Sequence, residues 1–190
     1  MRVVGVRVLL PAPEDPAESR TADDSGVGIH GQPRLKANKP PSPRCCAGLP
    51  KFELLEHVSD VYVRASGDDL LDALVGLGMG LTSVIVRNPE SVAGKEKKKI
   101  SVEANGLEEL VFLWLAELIY LFDAFTFLFR GFEGRIRSER GKLSIQGVAA
   151  GDTYDPLRHR PGTHVKAVTY HDMKIEAGKG RTTITVLLDI

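Results

Sequence analysis

The chain has two cysteines in 190 residues, and they are neighbours, Cys45 and Cys46. A bridge between adjacent cysteines is strained, and without a third cysteine there is neither a disulfide framework nor a cysteine-based zinc site. Such sparing use fits a reducing, cytoplasmic compartment. An excess of charge of either sign is equally lacking. Twenty-five Lys and Arg balance 25 Asp and Glu, so no whole-molecule field draws the protein toward nucleic acid or anionic membrane. Direct RNA binding would need a locally basic face, and on bulk charge little is expected. Long apolar runs are missing too. Residues 107–129 are strongly apolar, yet they contain Glu108, Glu109, Glu117 and Asp123, and their longest charge-free run is seven residues. A membrane span needs roughly 18 to 20, so this is a core helix. Residues 1–10 are broken by Arg2, Gly5 and Arg7 with no small-residue cleavage site behind them, and they read as no signal peptide. Motifs of self-sufficient catalysis are absent as well: no Gly-x-Ser-x-Gly elbow, no phosphate-binding Gly-Lys-Ser/Thr loop and no EF-hand loop occur.

Aromatic residues are absent from residues 1–50, which nonetheless hold eight of the eleven prolines. A segment so composed cannot bury enough apolar surface to offset its ordering entropy. It reads as a disordered or loosely attached extension, its first ten residues at most an edge strand, or as the product of a misassigned start codon. The folded domain is expected to be residues 51–190.

Within that domain, short strands are predicted at 52–56 and 61–65, around a break at His57-Val58-Ser59-Asp60. Ser66 followed by Asp69 resembles a capping box. Behind it Leu70, Leu74, Leu77 and Leu81 recur at helical spacing, predicting a helix over 68–84. The run Gly76-Leu77-Gly78-Met79-Gly80 looks like a phosphate-cradling loop, but such loops join a strand to a helix, and these glycines lie inside the leucine repeat. Close helix packing accounts for them. Residues 95–99, Lys-Glu-Lys-Lys-Lys, form a solvated lead-in to a strand at 100–104. Leu107, Leu110, Val111, Trp114, Leu118, Leu121 and Phe122 then mark a second helix, with Phe112, Ile119 and Tyr120 making it apolar almost all round. From Phe127 the period becomes two. A turn at 138–141, a loop at 151–162, a long strand from 165 and a glycine-bearing hairpin at 178–181 lead into a final strand at 182–190. The fold class expected is α+β, two helices packed on a mostly antiparallel sheet.

The candidate functional residues are His57, Asp60, Asp155, His171 and Asp189. His57 and Asp60 share one bend. Asp155 precedes a proline in an irregular loop and His171 is expected to end a strand, so each of these has a plain structural explanation as a cap, a turn residue or a half-buried histidine. Asp60 and Asp189 combine better. Both flank strands that could pair, and Asp189 is one residue from the main-chain oxygens of Ile190. Carboxylates brought together in this way need a hard cation to relieve their repulsion. A hydrolase using His57 and Asp60 is a further reading, weakened by the missing nucleophile.

Lys51-Phe52-Glu53 and His57-Val58-Ser59-Asp60, then residues 114–123 (WLAELIYLFD), 154–159 (YDPLRH), 165–171 (VKAVTYH) and 187–190 (LLDI), resemble the ordered sequence blocks of the archease family. The resemblance covers residues 51–190. Val58-Ser59 stands where the family commonly has Thr-Ala. It implies an accessory protein of the tRNA-splicing RNA ligase, non-catalytic itself, that promotes the ligase's guanylylation and multiple turnover. It further implies a divalent cation, typically calcium, held by Asp60, Asp189 and Ile190. An alternative role in the family is that of a chaperone-like modulator of a tRNA methyltransferase.

Overall fold

The structure, a computed structural model, describes residues 51–56, 60–178 and 180–190, without the side chains of Leu55 and Glu56. The expectations for residues 1–50 and for His57 lie outside the described residues. Strands β1 (Lys51–Glu56) and β2 (Asp60–Gly67) precede helix α1 (Leu70–Ile85). Strand β3 (Glu96–Ala104), helix α2 (Leu107–Phe125), strands β4 (Phe127–Glu139) and β5 (Lys142–Thr153), a four-residue helix α3 (Pro156–His159) and strands β6 (Ala167–Gly178) and β7 (Arg181–Asp189) complete the domain.

The strands form two antiparallel sheets, ordered β1-β2-β7-β6 and β3-β5-β4. Both long helices touch strands of both sheets, so the leucine faces read from the sequence are buried on two sides. Leu74, Leu77 and Leu81 of α1 are all buried, each worth about 1.5–3 kcal/mol relative to exposure. Trp114 of α2 is fully buried, with its ring edge-on to Phe129 and Phe132, and its indole N–H donates to the carbonyl of Leu74 at 2.8 Å. That bond satisfies the one polar atom such a residue brings into a core.

Two glycines of α1 are there for close approach. A Cβ on Gly78 would lie 2.6 Å from the Phe129 ring, and one on Gly80 would lie 2.4 Å from Val63 Cγ1. The packing explanation of the glycine run therefore holds. The β4–β5 hairpin turns on Arg140 (φ 52°) and Gly141 (φ 80°), the left-handed pair that matches strand twist.

Several elements differ from the sequence expectation for physical reasons. Asp69, not Ser66, caps α1 and accepts from the Asp72 amide at 2.9 Å, because Ser66 still belongs to β2, where its hydroxyl meets that of Thr183. From Glu96 onward the basic run is part of β3 itself, with Lys97 and Lys99 outward and Lys98 turned over the Phe125 ring at 4.9 Å. The loop expected at 151–162 is shorter. Strand β5 continues to Thr153 because Asp152, buried between elements, accepts from the amides of Ala93 and Lys95 and from Arg158. His171 does not end a strand. It lies within β6, at a bulge where the register against β7 shifts between Thr169 and Lys174.

Candidate functional site

Alternation along β2 sends Val61, Val63 and Ala65 into the core, and so turns Asp60, Tyr62, Arg64 and Ser66 to the other face. The antiparallel register then decides what meets them. Asp60 lies directly opposite Asp189, Arg64 opposite Thr185 and Ser66 opposite Thr183. Side chains on directly opposed residues share a face with Cβ atoms about 5 Å apart, and like charges in that position repel. The two carboxylates singled out in the sequence, 129 positions apart, are thus neighbours at the end of one sheet.

Their third neighbour was not foreseen as a contributor. Lys166, just before β6, donates its backbone N–H to the carbonyl of Asp189 at 2.9 Å and its ammonium to the Ile190 main-chain oxygen at 2.7 Å. The same ammonium is 3.8 Å from Asp189 Oδ1. Lys166 therefore fastens Ile190 beside the acidic pair and supplies one positive charge to it. The donor set is all oxygen: two carboxylates and the Ile190 main-chain end, on backbone held by strand pairing. It suits a hard cation such as calcium, which takes carboxylate and main-chain oxygens alike. Among the described residues no three His, Cys, Asp or Glu side chains gather in metal-binding proximity, here or elsewhere, so a cation at this pair needs the Ile190 oxygen as a further ligand.

Beyond the acidic row the face becomes mixed. The β6 bulge puts Asp172 in the left-handed region (φ 54°), where its carboxylate accepts from the Tyr62 hydroxyl at 2.8 Å. That hydrogen bond, with burial and the charges of Asp172 and Asp60, raises the Tyr62 phenol, while the same bond and the nearby His171 lower the Asp172 carboxyl. His171 is exposed and 3.6 Å from Asp172 Oδ2, on the same rim but outside the Asp60–Asp189 pair. Shallow adjoining depressions of about 210 and 220 Å³ follow, which share Arg64, Lys174 and Thr185 as walls.

Asp155 is elsewhere. It caps α3 by accepting from the Leu157 amide at 2.9 Å, and its own N–H donates to Nδ1 of the buried His159. Its placement is the turn-residue explanation made concrete. Nothing in the sequence pointed to Asp172, because its role depends on an unforeseen bulge. Lys166 could have been found only by knowing which strand ends beside Asp189.

The Archease protein family matches residues 52–190. The chain is 40% identical over 126 residues to "Protein archease" of Pyrococcus furiosus, an alignment covering 66% of this chain and 88% of that one. It is 33% identical over 141 residues to "Protein archease" of Methanosarcina mazei, covering 74% and 96% respectively. The solution structure of Methanobacterium thermoautotrophicum protein 1598 superimposes with a TM-score of 0.64 at 27% identity, over 73% of this chain and 98% of that one. With the match running through β1 to the Ile190 end, this chain belongs to the archease family.

Proposed function

We propose that this protein is a non-catalytic, cytoplasmic accessory factor of the tRNA-splicing RNA ligase, promoting its guanylylation and multiple turnover. The observation that supports this reading is the registered pairing of Asp60 with Asp189 beside the Ile190 oxygen, at the positions where the family resemblance puts its cation ligands. Asp60 and Asp189 hold the divalent cation, calcium in the first instance, together with the Ile190 oxygen that Lys166 keeps beside them. Such a cation supplies charge neutralisation and a coordination position open to a partner's oxygen. In this reading the chain supplies the cation site and the chemistry belongs to the ligase.

The test is guanylylation and multiple-turnover sealing by the ligase, with wild-type protein, Asp60→Asn and Asp189→Asn. Wild type raises turnover and both folded variants lose most of that stimulation. Undiminished stimulation by both variants rejects the acidic pair as the working site. A wild-type protein that leaves ligase guanylylation unchanged rejects the ligase as partner and leaves the methyltransferase to be tried.

A further inference from the structure

The β3-β5-β4 sheet carries a different chemistry on its outer face. On the β3-β5-β4 sheet, Ile100, Ala104, Ile145 and Ala149 face the core, so the alternate residues form the outer face. Register gives that face its rows: Lys97 beside Ala150, Lys99 beside Val148 and then Glu133, Gln146 beside Arg135, and Ser144 beside Arg137. Arg130 joins them at the β4 bulge, against Ala150 and Gly94. The result is two rails of cations, Lys97 and Lys99 on one edge strand and Arg135 and Arg137 on the other. They lie diagonally across a central strand of uncharged side chains, Lys97 and Lys99 standing across from Gly131 and Glu133, and Arg135 and Arg137 across from Ser101 and Glu103. Lys97, Lys99, Arg135 and Arg137 are exposed, and neither they nor Arg130 form an ion pair with any described residue. Glu103 is held by Lys142 at 2.7 Å, leaving Glu133 and Glu139 as the other carboxylates on this face. Six cations against three carboxylates make a positive sheet face on a chain whose net charge is zero.

We propose that this face docks a nucleic-acid strand through its phosphates, independently of base sequence. Along each rail successive cations are two residues, about 6.8 Å, apart, a spacing comparable to one nucleotide of an extended strand. The floor of Ser144, Gln146, Val148 and Ala150 offers no aromatic or large apolar side chain. A protein partner would find no pocket for a hydrophobic anchor there. A phosphate backbone needs only the cations. Without an aromatic platform, base stacking adds nothing and sequence is not read. Bulk neutrality conceals this surface because the alternation of β3 and β4 segregates positive charge onto one side.

The experiment is fluorescence anisotropy of a fluorescein-labelled polyuridine oligonucleotide titrated with the full chain across a range of salt. Five unpaired cations on single-stranded phosphates give a log–log salt slope of about −3.5, so a fourfold rise in salt lowers affinity by about a hundredfold. In the double variant Arg135→Gln with Arg137→Gln, and equally in Lys97→Gln with Lys99→Gln, the slope falls to about −2 and the same salt step costs about twentyfold. These exposed substitutions keep the circular dichroism spectrum of wild type. Asp60→Asn, on the other sheet, binds the oligonucleotide as wild type does, which separates this result from the ligase reading. Binding that is absent at low salt, independent of salt, unchanged in both double variants, or seen with phosphatidylserine vesicles in place of RNA overturns the proposal.

Discussion

Replacing Asp60 by asparagine is expected to stabilise the cation-free protein slightly and to abolish its response to calcium. The two effects have opposite signs because they have one cause. Asp60 and Asp189 are directly opposed in register, so their Cβ atoms sit about 5 Å apart and their carboxylates at about that distance or more. At that distance repulsion is about 0.8 kcal/mol in bulk water and about 3 kcal/mol at an effective dielectric of 20. The Asp189 side chain is 53% exposed, which favours the lower figure, and the Lys166 ammonium 3.8 Å away offsets part of it. Removing one charge should therefore add about 0.5 kcal/mol of stability in chelator, within the range for like-charged cross-strand pairs. Calcium at about a hundred times its Kd adds about 2.7 kcal/mol to the wild type. At roughly 2–4 °C per kcal/mol for a chain of this size, Asp60→Asn melts about 1–2 °C above wild type in EDTA, while calcium raises wild type alone by about 5–10 °C. Thermal melts followed by circular dichroism, with and without calcium, decide the matter. An equal calcium shift in both proteins, or a variant that melts below wild type in EDTA, refutes the reasoning.

Lys166→Met removes the competing ammonium from Ile190 and Asp189. It should cost no more than about 1 kcal/mol in chelator and tighten calcium binding in isothermal titration calorimetry, with weaker binding showing that orientation outweighs charge. Asp152→Ala leaves the amides of Ala93 and Lys95 and the Arg158 guanidinium without their acceptor, a loss of about 3 kcal/mol by urea denaturation at neutral pH. Burial raises this carboxyl, but the two amides and Arg158 outweigh it and leave it below its ordinary value. Its contribution is thus complete above about pH 4, the ordinary carboxylate value, and fades as pH falls through the lower folded value; a variant equally destabilised in strong acid would contradict this. Gly78→Ala gains up to about 1 kcal/mol of helix propensity but drives a methyl group into the Phe129 ring and Leu118, so urea midpoints should fall by the equivalent of about 1 kcal/mol net. A stabilised variant would mean the helix can shift away.

The local elements were legible because their signals are local. Leucines three and four apart in residues 70–81 and the period-two runs after Phe127 each correspond to one element. The misreadings arose where a tertiary partner outbids a local pattern. Ser66 has the look of a cap, yet Thr183 keeps it in the sheet. His171 looked like a strand terminus, but β6 continues past it through a bulge that only the pairing with β7 reveals. Asp155 turned out to cap α3, the local role its position before Pro156 suggested.

The sequence by itself determined the element types, the buried faces and the family blocks, because helix and strand periodicity and the hydrophobic effect act on near neighbours along the chain. It also named Asp60 and Asp189 and placed each at a strand end. That they oppose one another, that Lys166 fastens Ile190 beside them, and that lysines of β3 share a face with arginines of β4 were decided only in three dimensions. The physical reason is register. Side chains alternate with a period of two, so a slip of one residue in any pairing would send either set of charges to the opposite face.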